Sequence, residues 1–309
     1  MRDGGLGIPK LEALASSTAL KQGITLLNSI DPAIQSLLQE TKLELRLQSL
    51  TKAIRMTWPI MNFRAIDAYK RRMKADELQS WSQLQSKVRG VTAFTDDRNG
   101  NAWLYNPNLL KPSRFLAALR LRVGMTSDEV TMSRVVPQPD VKCRKCRACN
   151  ETLAHILGQQ IRRHDDIRDF VSKKLASMKE KVQIIEEALI PTQTGNLKPD
   201  LVVVSQGRVR VVDVTVRHED TGYLEEGYRS KVEKYTPLLD VLAGQLNVER
   251  GRVLPIVVGT RGSMPKATID SLREMNSNDR GSYISISPLS LRPSFEIYHT
   301  FMDYNKPVE

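Results

Sequence analysis

Long apolar runs are missing from this chain. No segment approaches the eighteen or so uninterrupted apolar residues of a membrane-spanning helix, so no membrane partner is expected. An apolar signal core is missing as well: the first residues read MRDGGLGIPKLE, which predicts a chain that is not secreted. Cysteine is scarce, with 3 in 309 residues, at positions 143, 146 and 149. An odd, clustered set of this kind excludes a disulfide framework and points to metal or to free thiols. Internal repeats and low-complexity tracts are absent too, which excludes a solenoid.

Positive charge is what the chain has in excess. Lys and Arg number 46 against 35 Asp and Glu, giving a formal net charge of +11. Such an excess suits a polyanionic partner, because cations that neutralise phosphates release condensed counterions. Hydrophobic content of 40% and charged content of 26% are those of a folded protein, and the length suggests two domains or three modules.

Residues 1 to 90 read mainly as helix, with Leu37, Leu38, Leu43, Leu45 and Leu47 at helical spacing and a basic cluster, Lys70, Arg71, Arg72 and Lys74, on a helix from Ile66 to Val88. Asp96 to Asn101 reads as a turn, and Trp103 to Pro107 as a short extended piece. Phe94-Thr95-Asp96-Asp97 has the look of a polymerase metal motif, but it leads into a Gly-Asn turn with no apolar strand behind it. Pro112 opens a helix with Arg114, Arg120 and Arg122 on or near it, and Pro137 and Pro139 mark a boundary. Residues 161 to 180 read as a polar helix. From Val182 the pattern changes to strands: Val182 to Pro191 as a strand or helix-to-strand passage, then Asp200–Ser205 and Arg208–Arg217 joined by a Gln206-Gly207 hairpin turn. An amphipathic helix over Glu225–Gln245, a buried strand over Val253–Gly259 and a helix over Lys266–Met275 follow, and the last thirty residues read as weak strand or loop.

The chemistry concentrates in the last third. Asp213 sits mid-strand in RVRVVDVTVR, on one face with Val209, Val211 and Thr215. A carboxylate flanked by valines is costly unless something pairs with it. Mg²⁺ is one such partner, since it takes one or two carboxylates with waters and phosphate oxygens. Asp200, after Pro199, opens the preceding strand. Lys231 shares a helix face with Tyr235, with Lys234 beside them. Packing of Val232, Tyr235, Leu239 and Leu242 on the sheet brings Lys231 toward Asp213, where it would stabilise charge on a scissile phosphate. His218-Glu219-Asp220 offers a third carboxylate, and Arg261 a contact to a DNA backbone.

The set Pro-Asp, Asp, then Lys resembles the restriction-like nuclease superfamily, whose signature is Pro-Asp followed by Asp or Glu, any residue and Lys; here Thr215 stands where that lysine would be. With GGLGIP, DDRNGNAWLY, PSRFLAALRLR, CRACNETLAH, RRHD and KPDLVVV…VVDVTVRHED, nearly the whole chain resembles the C-terminal part of the polyprotein of site-specific non-LTR retrotransposons that insert into large-subunit ribosomal RNA genes. The resemblance implies a DNA endonuclease that nicks its target to prime reverse transcription, acting in the nucleus on ribosomal DNA with element RNA. It makes Asp200 and Asp213 ligands of Mg²⁺ or Mn²⁺, Lys231 the displaced catalytic lysine, and Pro199, Lys234 and Tyr235 its supports. It implies an α/β fold in three parts: residues 1–140 a mainly helical thumb-tail and linker, 141–170 a Cys/His knuckle, and 171–309 a restriction-endonuclease-like core. The reverse transcriptase core is not in this sequence, so a polymerase supplied in trans is an expected partner; the alternative is a catalytically inactive nucleic-acid-binding fragment.

Cys146, Cys149 and His155 have zinc-ligand spacing. The family's fourth ligand is a cysteine, and its position here is Gln160, so His164 or Cys143 would complete a Zn²⁺ site. Arg162 and Arg163, with Arg114, Arg120 and Arg122, are the expected nucleic-acid contacts.

Overall fold

The computed structural model describes residues 10–60, 62–82, 90–158, 162–178, 182–192, 195–275 and 280–303. They form two compact units that divide between Ser82 and Gly90, so the segment 90–140 belongs with the core and not with the helical region expected over 1–140. The N-terminal unit is helical: α1 (Leu11–Leu27), α2 (Pro32–Thr41), α3 (Leu43–Ala53) and α4 (Phe63–Ser82). Asp31 starts α2 by accepting the Ala33 N–H at 2.8 Å, with Pro32 at the first helical position. Leu20, Ile24, Leu47, Ile60 and Ile66 make its core.

In the second unit, 3-10 turns over Val91–Phe94, Ala102–Leu104 and Pro107–Leu109 replace the extended piece expected near Trp103. Trp103 is fully buried there, edge-on to Phe115. Next come α5 (Pro112–Arg122), α6 (Glu129–Met132), α7 (Leu153–Leu157) and α8 (Arg162–Ala176). Strands β1 (Gln183–Glu186), β2 (Ile190–Thr192), β3 (Gly195–Leu197), β4 (Leu201–Ser205) and β5 (Arg208–Arg217) follow, then α9 (Tyr223–Tyr235), α10 (Leu238–Leu246), β6 (Glu249–Gly259), α11 (Lys266–Glu274) and α12 (Arg280–Met302).

One four-stranded sheet runs in the order β1-β4-β5-β6, with β1, β4 and β5 antiparallel and β6 parallel to β5; β2 and β3 pair separately. The β4–β5 turn is tight because Gln206 and Gly207 both take positive φ, at 52° and 70°, which matches the twist of a two-residue hairpin. Alternation along the strands sorts the valines. Leu201, Val203, Val212 and Val214 face Ile167 and Val171 of α8, Ile269 and Leu272 of α11 and Ile286 of α12. Val202, Val209 and Val211 face Tyr235, Leu238, Leu239 and Leu242. Each fully buried valine contributes about 1.5–3 kcal/mol, so the hairpin is held from both sides. The helix expected over 225–245 is two helices, broken at Thr236-Pro237.

The C-terminal residues are the largest departure from expectation. They form α12, which carries Pro288 and Pro293 in its interior. Its buried serines tie it to the sheet end: Ser290 donates to the Gly259 carbonyl at 2.6 Å and Ser294 to the Thr260 carbonyl at 2.6 Å. Tertiary bonds thus offset the backbone bonds that proline removes.

Segment 90–140 is bound in by buried polar contacts. Asp97 accepts the Met264 N–H at 2.6 Å and the Gly100 N–H at 2.7 Å, so its carboxylate holds a turn. Arg122 lies 3.2 Å over the Phe94 ring and donates to Asn101 Oδ1 at 2.8 Å.

Candidate active site and cysteine cluster

The hairpin register brings the two aspartates together. Leu201 pairs with Val212, and one further step sets Asp200 opposite Asp213. Directly opposed residues of an antiparallel pair share a face. Asp200 Oδ2 also accepts the N–H of Val214, next to Asp213, at 2.6 Å.

Asp213 is buried, and burial pushes its carboxyl above the ordinary range; the neighbouring Asp200 charge adds to the rise, and Lys231 pulls the other way. Lys231 Nζ stands 2.6 Å from Asp213 Oδ2. That contact is an ion pair, and among the described residues Oδ2 has no other partner of hydrogen-bond geometry. Thr215, on the same strand face, likewise has a buried hydroxyl with no partner among the described residues. A buried carboxylate held by a single ion pair, beside a second carboxylate, suits a divalent cation.

Tyr235 and Lys234 support this arrangement. The buried Tyr235 hydroxyl donates to the Lys198 carbonyl at 3.1 Å, and Lys234 Nζ donates to Tyr235 Oη at 3.0 Å. Lys198 precedes Pro199, itself buried, and Asp200. The tyrosine therefore anchors the strand that carries Asp200 to the helix that carries Lys231.

His164 is not with the cysteines. It lies in the first turn of α8, with Nε2 2.9 Å from Asp200 Oδ2 and Nδ1 3.1 Å from Asp165 Oδ1. The Asp200 hydrogen bond, against desolvation, raises its pKa to about 9. The cysteine cluster is Cys143, Cys146 and His155, whose ligand atoms all lie within 4.8 Å of one another. Cys143, one of the two residues expected to complete the set, is in that group; Cys149 and His164 are not, and Gln160 lies outside the described residues. The backbone explains the choice: the Lys142↔Asn150 bridge and the Cys143 N–H to Cys149 carbonyl bond of 2.8 Å close a loop that turns Cys143 inward and leaves Cys149 exposed. Backbone N–H groups of Cys149 and Ala148 lower the Cys146 pKa to about 7, favouring its thiolate. Arg144 braces the loop by pairing with the buried Glu151 at 2.6 Å.

Several expected contacts to nucleic acid are core residues instead. Arg122 and Arg163 are buried, and Arg163 donates to Ser294 Oγ at 2.8 Å and to the Leu157 carbonyl. Arg261 is buried too, with its Nε 3.1 Å from Glu219, the carboxylate expected as a third metal ligand, which is fully buried and paired with this arginine. Arg114 is half-buried and 3.2 Å from Glu296, Arg120 is exposed, and the Arg162 side chain lies outside the described residues. Composition does not distinguish a guanidinium under an aromatic ring from one on the surface, so these arginines carried no signal of burial.

No family model matches the chain. Among curated proteins, it is 28% identical over 279 residues to the retrovirus-related Pol polyprotein from type-1 retrotransposable element R2 of Popillia japonica, across 85% of this chain and 54% of that protein. The chain thus spans about half the length of the curated relative it matches. The chain is thus similar to about half of a retrotransposable-element Pol polyprotein.

Proposed function

We propose that the chain is the nuclease part of such a polyprotein, nicking one strand of target DNA by phosphodiester hydrolysis to leave a 3′-hydroxyl primer. The observation that carries this is the opposition of Asp200 and Asp213 on paired strands, with Lys231 2.6 Å from Asp213. The element order supports a restriction-like core: an antiparallel hairpin bearing the acids, a helical crossover bearing the lysine, and a parallel strand that closes the sheet.

Asp200 and Asp213 would hold Mg²⁺ or Mn²⁺. Such an ion, when bound, lowers the pKa of a coordinated water and offsets phosphate charge. Lys231 sets a second positive charge beside the carboxylates, where it counters the charge that grows on the phosphate as water attacks. Tyr235 and Lys234 hold Lys231 and the Pro199-Asp200 segment in register. Burial penalises the Asp213 anion and raises its pKa, a cost that a bound cation would offset.

Cys143, Cys146 and His155 would hold Zn²⁺ as three of its four ligands. The net charge of +11 suits DNA and element RNA as partners. Ribosomal DNA as target and the nucleus as location rest on the family resemblance.

A plasmid-nicking assay with and without Mg²⁺ tests the proposal. Asp200→Ala and Asp213→Ala should abolish nicking and leave DNA binding intact. Full cleavage by both variants would refute it, and binding without nicking by the native chain would favour the inactive binding fragment.

A further inference from the structure

We infer that His164 is a positioning residue for the proposed cation site, fixing the carboxylate of Asp200; the inference rests on that proposed site. His164 sits on α8, an element apart from the two strands and the helix that carry Asp200, Asp213 and Lys231. Its Nε2 and the Val214 N–H both meet Asp200 Oδ2, at 2.9 and 2.6 Å. A carboxylate with one oxygen held by two donors from different directions cannot rotate about its Cβ–Cγ bond. Its remaining lone pairs are then fixed with respect to the opposed Asp213. Asp165 performs the same service for the ring: its Oδ1 lies 3.1 Å from Nδ1 and fixes the imidazole plane. The chain Asp165, His164, Asp200 thus passes orientation from the first turn of α8 to the strand.

The helix is rigid where it matters. Ile167, Val171 and Leu175, on its inner face, are buried against the sheet with 0%, 3% and 3% exposure, so the ring is carried by a packed element rather than a loop. Outer partners of this kind, when removed, cost roughly 10–100-fold in metal affinity or activity.

The test uses the full chain and Mn²⁺ itself, read by the electron paramagnetic resonance of free against bound ion, alongside nicking rates across a Mg²⁺ series. His164→Ala should weaken Mn²⁺ binding about 10-fold or slow nicking about 10-fold at saturating metal, without lowering the melting temperature. His164→Gln, which keeps a side-chain donor but no charge, should recover most of the loss. Asp165→Asn, at a half-buried position, should give a smaller loss in the same direction. Unchanged binding and rate in His164→Ala would overturn the positioning role. Tighter Mn²⁺ binding in His164→Ala, with no rescue by Gln, would overturn it too, since it would mark a charge that only screens Asp200. A native chain that binds no Mn²⁺ would instead remove the proposed site itself, and this inference with it.

Discussion

Glu219 offers a sharp test of how the second unit is held together. Its carboxylate accepts the Arg261 N–H at 2.8 Å and Arg261 Nε at 3.1 Å, and takes further bonds from Thr260 Oγ1 at 3.2 Å and the Ser263 N–H at 3.3 Å. Glu219 is fully buried and Arg261 is 2% exposed. Glu219→Ala leaves the Arg261 guanidinium in the interior without its counter-charge, and the Arg261 and Ser263 N–H groups without this acceptor. Removing one partner of a buried ion pair costs about 3–5 kcal/mol. For a unit of this size each kcal/mol lowers the melting temperature by about 2–4 °C, so the expected fall is about 6–20 °C, measured by calorimetry in metal-free buffer. The double variant Glu219→Ala with Arg261→Met removes both charges and should be more stable than Glu219→Ala alone, because an apolar replacement of a buried pair is often neutral. A fall below about 2 °C, or a double variant no better than the single, would refute this account. A carboxylate that served a cation instead would behave in the opposite way: its removal would relieve repulsion in the metal-free protein.

Other outcomes follow from the same contacts. Lys231→Ala should reduce nicking at least 100-fold, and Thr215→Lys added to it should restore part of the rate, since both positions face Asp213; no recovery would show that the strand position does not reach the phosphate. Cys143→Ser should lower bound zinc, measured by metal analysis of the purified chain, and Cys149→Ser should leave it unchanged; equal loss in both would refute the three-residue cluster. Asp97 makes a pH prediction: burial raises its pKa from 3.8 to about 6. The folded state therefore holds this proton more tightly than the unfolded chain, and the group's contribution to stability is present below pH 4 and lost as pH rises through about 6. The loss is worth up to about 3 kcal/mol at 1.36 kcal/mol per unit. Chemical denaturation of the native chain and Asp97→Asn between pH 4 and 7 checks it; a difference between them that does not change with pH would contradict it.

The hairpin was legible because two valine-rich runs flank a residue pair suited to a tight turn, and Lys231 because its helix buries a face that includes Tyr235. The break at Thr236-Pro237 has a local signal in the proline, but apolar residues at helical spacing on both sides made the stretch read as one helix. The helix α12 was hidden by Pro288 and Pro293, which argue locally against helix; the tertiary bonds of Ser290 and Ser294 that hold it have no local signature. The cysteines were placed by spacing alone, which fits 146 and 149 as well as 143 and 146. Only the loop closed at Lys142↔Asn150 decides between them. Likewise nothing in the chain order links His164 to Asp200, 36 residues on.

The Gln206-Gly207 turn acts as a ruler for chemistry that happens far from it. Asp213 lies five strand steps beyond Arg208, roughly 17 Å along the strand at about 3.4 Å per residue. Yet the turn's length alone determines which residue of β4 meets the second aspartate. A single residue inserted at this distal tip would slide one strand past the other and part the two acids, although no residue near them had changed. Tolerance to insertion should therefore be lowest at an exposed loop, where it is ordinarily highest.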